Sequence, residues 1–307
     1  MDWMAIDSVE VRNVGRRLAA HAASGDDVRA TMVRLATKAE LDVAGLHLLD
    51  DLADRLRDMA RSLLQAATTV DEHVLHVAPH PALPLTAAGQ LASHNTYQSD
   101  LSVRDLHEAG VRAFEFDLHG PSRSGEWAVY HHALDRDSNV GSLSDALANV
   151  ASLPADSVTT VFLDLKDAPA TRFDQQMFDR AIRDAFGDRL FTPLDLIVRS
   201  PGAVTVGEAA TTSGWPTFAE LSTNVLVVVT GDVASYRALG GLTAAAFVSA
   251  RPTRAAIADP HIVVYNAPAQ DLTPVQVLAL QQTGGLVRTW GHPTEAGRHA
   301  NYLALDL

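Results

Sequence analysis

Four stretches of this chain put reactive side chains at the ends of strand-like runs: GQLASHNTYQSD from Gly89, VRAFEFDLHG from Val111, WAVYHH from Trp127 and VTTVFLDLKD from Val158. They supply His94 and Asn95, then Glu115 and Asp117, then His131 and His132, then Asp164 and Lys166. Glu115 and Asp117 are spaced i,i+2, as are Asp164 and Lys166, so in a strand each pair shares one face. Two carboxylates facing one way on an apolar strand lose hydration and repel each other unless a cation lies between them. Asn95, Glu115, Asp117 and Asp164 form an all-oxygen set without a thiol, which suits hard Ca²⁺ or Mg²⁺ rather than zinc.

Two imidazoles on opposite sides of a phosphodiester can take a proton from the nucleophile and give one to the leaving oxygen. His94 is one candidate; alternation lets either His131 or His132 face the same mouth. A structural reading stands beside each of these. Glu115 and Asp117 could pair with Arg112, and Asp164 with Lys166. In the functional reading Asp164 ligates the cation and Lys166 neutralises a phosphate oxygen. Asp306 closes the run YLALD and could orient His94, while Trp290 and His292 end another run, where an aromatic wall for a substrate would lie. Asp135, Asp137 and Asn139 make an incomplete calcium-loop pattern and read as a solvated loop. No nucleophile elbow, Gly-rich phosphate loop or GxGxxG after a first strand is present.

These groups need a scaffold that gathers strand ends. Strand-like runs at 90–94, 111–117, 127–131, 159–165, 225–229, 261–265, 286–290 and 302–306 alternate with helical runs at 101–109, 142–151, 172–186, 233–239, 273–282 and 294–300. Eight strands separated mostly by helices predict an α/β fold, a (β/α)8 TIM-like barrel over 81–307, with an open doubly wound sheet as the rival. VLVVV at 225–229 fits a parallel strand covered on both faces. Residues 190–224 read mainly as loop, and AAAFVSA at 244–250 is a possible further strand. Residues 1–80 differ: no Pro precedes Pro79, and Leu49, Leu52, Leu56, Met59 and Leu63 recur at helical steps. They predict a helical hairpin that packs on the barrel, dimerises or meets a partner. Pro79, Pro81 and Pro84 mark the linker.

The chain has 307 residues, net charge −13 and no cysteine. That balance argues against nucleic acid and against attraction to anionic membranes, suits recruitment of a cation, and excludes thiolate chemistry and disulfides. The first residues read as neither a signal peptide nor a transmembrane helix, which leaves a cytoplasmic location or export by another route.

From about Gly89 onward the chain resembles the PLC-like phosphodiesterase superfamily, and within it the bacterial calcium-dependent phosphoinositide phospholipases C. The resemblance rests on His94 and Asn95 in SHNTY, Glu115 and Asp117 in GVRAFEFD, and VYH ending at His131, with GWPTFAEL and GLVRTW later. Asp164-Leu165-Lys166 resembles the sphingomyelinase D branch, where the Asp binds Mg²⁺ and the Lys contacts phosphate. The resemblance implies a barrel that cleaves a phospholipid or smaller phosphodiester, either through a cyclic phosphate or by attack of water to give a linear monoester. It implies catalysis by His94 and His131 with Asp306 in support, and a cation on Asn95, Glu115, Asp117 and Asp164. Lys166, Trp290 and His132 are then expected to contact substrate. One divalent cation is expected, calcium favoured over magnesium by the His-Asn pair. The alternative is an inactive barrel serving as a binding or secreted effector module.

Overall fold

The computed structural model describes residues 81–121, 125–132, 138–167, 174–234, 236, 243–291 and 294–306. The helical hairpin expected over 1–80, His292, Asp135 and Asp137 lie outside the described residues. So does most of the helix expected at 233–239.

The barrel strands are β1 (Gln90–His94), β2 (Ala113–His119), β4 (Thr159–Asp167), β6 (Val225–Gly231), β7 (Phe247–Ala250), β8 (Val264–Pro268), β9 (Leu286–Trp290) and β10 (Tyr302–Asp306). Each pairs in parallel with the next, and β10 returns to β1, closing a ring of eight. Two short strands lie off the ring. β3 (Ala128–Val129) runs antiparallel to β2, and β5 (Leu190–Phe191) pairs with the first residues of β6, below the point where β7 begins.

The expected barrel therefore forms, but with one strand exchanged. The run 127–131 is not a ring strand. Only residues 120–127 separate β2 from β3, too few for a parallel crossover, which takes about a dozen residues or more. Its place in the ring is taken by β7, from the Ala-rich run noted as a possible strand. The 190–224 stretch also holds more structure than expected: α4 (Pro193–Val198) and α5 (Val206–Thr212) follow β5. Thr192 and Thr205 cap them through reciprocal bonds with Asp195 and Glu208. The other helices fall within the expected runs: α1 (Val103–Glu108), α2 (Leu143–Ala151), α3 (Gln175–Phe186), α7 (Pro274–Gln282) and α8 (Glu295–His299), with a further short α6 (Arg254–Ile257).

The barrel interior is filled by large side chains set against small ones. Phe162, Tyr302 and Phe247 face Ala92, Ala113 and Ala304, together with Leu226, Val228, Val264 and Leu286. Phe162 meets Tyr302 edge-on at 5.3 Å, and Thr160 donates to the Tyr302 hydroxyl at 3.1 Å. This packed layer fills the barrel interior among the described residues and lifts the polar strand ends to one mouth. At the opposite end the loop around Trp215 closes the floor. Leu85 donates to the Pro216 carbonyl, Phe218 to that of Leu83, and the Trp215 indole to Gly284 at 2.8 Å.

Asn301 ties the ring shut. Its carbonyl oxygen accepts from the backbone of Val287 at 2.9 Å and from Gln281 at 3.1 Å. Its amide nitrogen reaches the carbonyls of Leu85, Thr86 and Ala88 at 3.3, 3.0 and 3.2 Å. The side chain thus joins the entry to β1, the start of β9 and α7. Asn301→Ala leaves several of these buried groups unsatisfied, at roughly 1–3 kcal/mol each. Chemical denaturation is expected to show a loss of about 3 kcal/mol or more.

Candidate active site

The side-chain alternation of the strands decides which groups enter the mouth. On β2, Glu115 and Asp117 both face inward; on β4, Phe162, Asp164 and Lys166 do the same. The register places Asp117 directly opposite Asp164. Like charges so placed destabilise a sheet. Asp117 is fully buried and Glu115 nearly so. Glu115, Asp117 and Asp164 each offer an oxygen, and these oxygens lie within 4.8 Å of one another.

Two cations offset this charge. Lys166 Nζ lies 2.5 Å from Asp164 Oδ2 and 3.1 Å from Asp117 Oδ2. Arg288 on β9 is buried, and its Nη2 donates to Glu115 Oε2 at 2.6 Å while Nη1 donates to Asn266 Oδ1 at 2.9 Å. Its guanidinium stands 4.7 Å from the centre of the Phe162 ring. Three carboxylates against two cations leave one negative charge when His94 is neutral. Arg288 was not among the candidates read from the sequence. The signal was available in LVRTW, because a side chain two positions before Trp290 shares its face.

Glu115 organises the other side of the mouth. Its Oε2 accepts from the backbone of Asn95 at 3.3 Å and lies 3.6 Å from His94 Nε2. Asn95 can present that N–H because it adopts a left-handed conformation, φ 50° and ψ 50°, which Asn tolerates better than most residues. Its side-chain oxygen accepts from the Tyr97 hydroxyl at 3.2 Å. Trp290 is stacked on His94, centroids 5.5 Å apart and planes 14° from parallel. Asp306 is the register partner of His94 on β10. His131 lies two residues past β3, with its carbonyl 3.3 Å from His119 Nε2 and its ring 5.0 Å from that of the exposed His132. The residues directly linked are His94, Asn95, Glu115, Asp117, Asp164, Lys166 and Trp290, with Arg288 added; the roles of His131 and His132 belong to the proposal below.

The titration of the cluster follows from these contacts. Burial alone would raise Glu115, but Arg288 and then His94 overcome it and hold the carboxyl below its usual range. Burial pushes Asp117 up to about 7; Glu115 and Asp164 push the same way, against the pull of Lys166. Burial works against the Lys166 ammonium, and Asp164 and Asp117 more than restore it, so its pKa is raised. Gly231 at the end of β6 lets the chain pass close to this cluster. It has φ +79°, and a β-carbon there would collide with Asp164 Oδ1 and the Leu165 carbonyl.

The residues fit a divalent cation. Among the described residues, Asp117 Oδ1 and Oδ2 and Asp164 Oδ1 are buried side-chain oxygens without a well-directed hydrogen bond. Buried acceptors of this kind call for a partner, and carboxylate oxygens converging from two strands could supply one to a hard cation.

Comparison with known proteins agrees with this geometry at the level of fold. No family model and no curated protein matches the sequence. Among solved structures, the calcium-dependent phosphoinositol-specific phospholipase C of Pseudomonas sp, in its myoinositol complex, aligns with a TM-score of 0.65 at 20% identity, covering 76% of this chain and 93% of that one. The chain shares the barrel fold of this phospholipase C. The calcium-dependent phosphatidylinositol-specific phospholipase C of Streptomyces antibioticus gives 0.59 at 21% identity, covering 73% of this chain and 94% of that one. PLC21 of L. pealei gives 0.52 at 17%, covering 81% of this chain but 37% of that longer one. Among the described residues of the barrel, no helix is long and apolar enough to cross a membrane.

Two expectations follow. Asp117 has a folded pKa near 7 against an ordinary 3.8, so the folded state takes up its proton first. In chelator, stability is expected to rise as pH falls from 8 to 5, the contribution being complete only below 3.8 and lost as pH rises through 7. Urea melts of wild type and Asp117→Asn isolate this contribution, and the variant is expected to show a flatter profile. Gly231→Ala introduces strain at a positive φ and a collision with Asp164. A loss of about 2 kcal/mol or more in a urea melt is the expected result.

Proposed function

We propose that the barrel is a divalent-cation-dependent phosphodiesterase acting on a phospholipid or a smaller phosphodiester. The observation that carries this reading is the cluster of buried Glu115 and Asp117 with half-buried Asp164, whose oxygens converge at the strand ends beside His94 and include Asp117 Oδ1 and Asp164 Oδ1 without a well-directed hydrogen bond. In an α/β barrel, that end is where active sites form. The triad, with Asn95 as a neutral fourth ligand, would hold the cation, and calcium is favoured because the neighbours named above include calcium-dependent enzymes. When bound, the cation would offset negative charge on the phosphoryl oxygens.

The chain's own residues supply the remaining steps. His94 and His131 act as the base–acid pair: one takes the proton of the attacking hydroxyl, and the other protonates the leaving oxygen. Glu115, 3.6 Å from His94 Nε2, favours the imidazolium that forms if His94 accepts the proton. Trp290 restricts the His94 ring by stacking on it. Asp306 supports His94 from the neighbouring strand, Lys166 neutralises a phosphoryl oxygen, and His132 meets substrate at the rim. A hydroxyl next to the phosphate attacks phosphorus, the ester oxygen departs, and a cyclic phosphate results.

A second reading, a barrel that binds without turnover, has one observation in its favour. Arg288 and Lys166 already balance two of the three carboxylates. A phosphodiester screen with Ca²⁺ and Mg²⁺ separates the two readings. His94→Ala and His131→Ala are each expected to lower turnover by about 100-fold or more while the thermal midpoint is retained. Near-full rate in both would overturn the proposal. Phosphorus NMR of the first product distinguishes a cyclic phosphate from a linear monoester, and so attack by substrate hydroxyl from attack by water.

A further inference from the structure

The two cations of the site are held in different ways. Arg288 is fixed by Glu115, by Asn266 and by the face of Phe162, and it is almost fully buried. Lys166 stands on the last turn of β4's pleat, with about a third of its side chain exposed and a flexible stem. Its ammonium lies on Asp164 Oδ2 and Asp117 Oδ2, oxygens from the same two carboxylates that face each other across the β2–β4 ladder. The other oxygens of that pair, Asp117 Oδ1 and Asp164 Oδ1, are buried and lack a well-directed hydrogen bond, although the Tyr97 hydroxyl also lies against the Asp117 carboxylate.

We infer that Lys166 is a tethered competitor for the divalent cation, occupying the Asp117–Asp164 pair in its absence and released toward the substrate phosphate when the cation binds. This rests on the metal-dependent reading above and goes beyond it by coupling the two sites. A divalent ion and an ammonium cannot share one pair of carboxylates without strong mutual repulsion. Arg288 has no such freedom, because moving it would strand Glu115 as a buried unpaired charge. Lys166 can leave, since its stem already reaches solvent and a phosphoryl oxygen offers it a new anionic partner. Release of the ammonium makes metal binding and phosphodiester binding assist each other, and that assistance is reciprocal. Lys166 is thereby a positioning residue for the two aspartates in the metal-free protein.

Calorimetry of the full chain with Ca²⁺, with and without dimethyl phosphate as a phosphodiester probe, tests this. Lys166→Met is expected to bind Ca²⁺ about tenfold or more tightly than wild type, within the usual span of such couplings. It is also expected to melt lower in chelator and to gain more from added Ca²⁺. Dimethyl phosphate is expected to raise wild-type Ca²⁺ affinity about fivefold, with a smaller enhancement in the variant. Lys166→Arg keeps the charge and can bridge both carboxylates with two donors, so weaker Ca²⁺ binding than wild type is expected; this variant keeps the inference testable if Lys166→Met folds only with metal. Equal or weaker Ca²⁺ binding by Lys166→Met, in a wild type that does bind, overturns the inference and leaves the phosphodiesterase reading intact. Binding by Lys166→Met alone supports the competition and overturns metal dependence of the natural chain. Failure of both proteins to bind Ca²⁺ or Mg²⁺ at millimolar concentration overturns both.

Discussion

Two aspartates opposite each other on adjacent strands of an apolar barrel are the constraint on which the site depends. Asp117 and Asp164 share a register position on β2 and β4, and Asp117 has no access to water. Neighbouring Glu115 adds a third carboxylate to the same small volume. Such an arrangement persists only where cations accompany it, because both burial and mutual repulsion disfavour the charged forms. The positions of Arg288, Lys166 and His94 are answers to that requirement.

Those answers are distributed around the ring. Arg288 crosses from β9 to reach Glu115 and uses the Phe162 ring beneath it as a platform. Asn95 turns its backbone N–H to the same carboxylate oxygen through a left-handed conformation. Gly231 leaves the space that Asp164 occupies. The result is an asymmetric pair of neutralised halves: Glu115 is held by a buried guanidinium, whereas Asp117 and Asp164 share the part-exposed ammonium of Lys166.

The scaffold meets the requirement by keeping the polar layer separate from the packing layer. Phe162, Tyr302 and Phe247 fill the barrel below the carboxylates, and the Trp215 loop and Asn301 close the floor. A tightly filled core resists the displacement that charge repulsion would otherwise cause. Three structures of similar fold are phospholipases C, yet at 17–21% identity the likeness extends to the barrel and not to the contents of its mouth. In this chain the mouth is defined by its own residues, among them a tryptophan lying flat on His94.

The sequence alone determined which faces carry the chemistry. A period of two puts Glu115 with Asp117 and Asp164 with Lys166, whatever lies around them, and the same period applied to LVRTW links Arg288 to Trp290. It also determined the α/β class, because apolar parallel-type strands alternating with helices have few ways to be covered, and left ring closure over a doubly wound sheet to the tertiary structure. It could not decide the exchange of 127–131 for 247–250, since the first has more strand character than the Ala-rich second and only ring closure requires the latter. Nor could it assign partners. Arg288 meets Glu115 from 173 positions away, and Lys166 rather than Arg112 serves the aspartates. Local periodicity settles the direction of a side chain, whereas the order in which strands close the ring settles what stands opposite it.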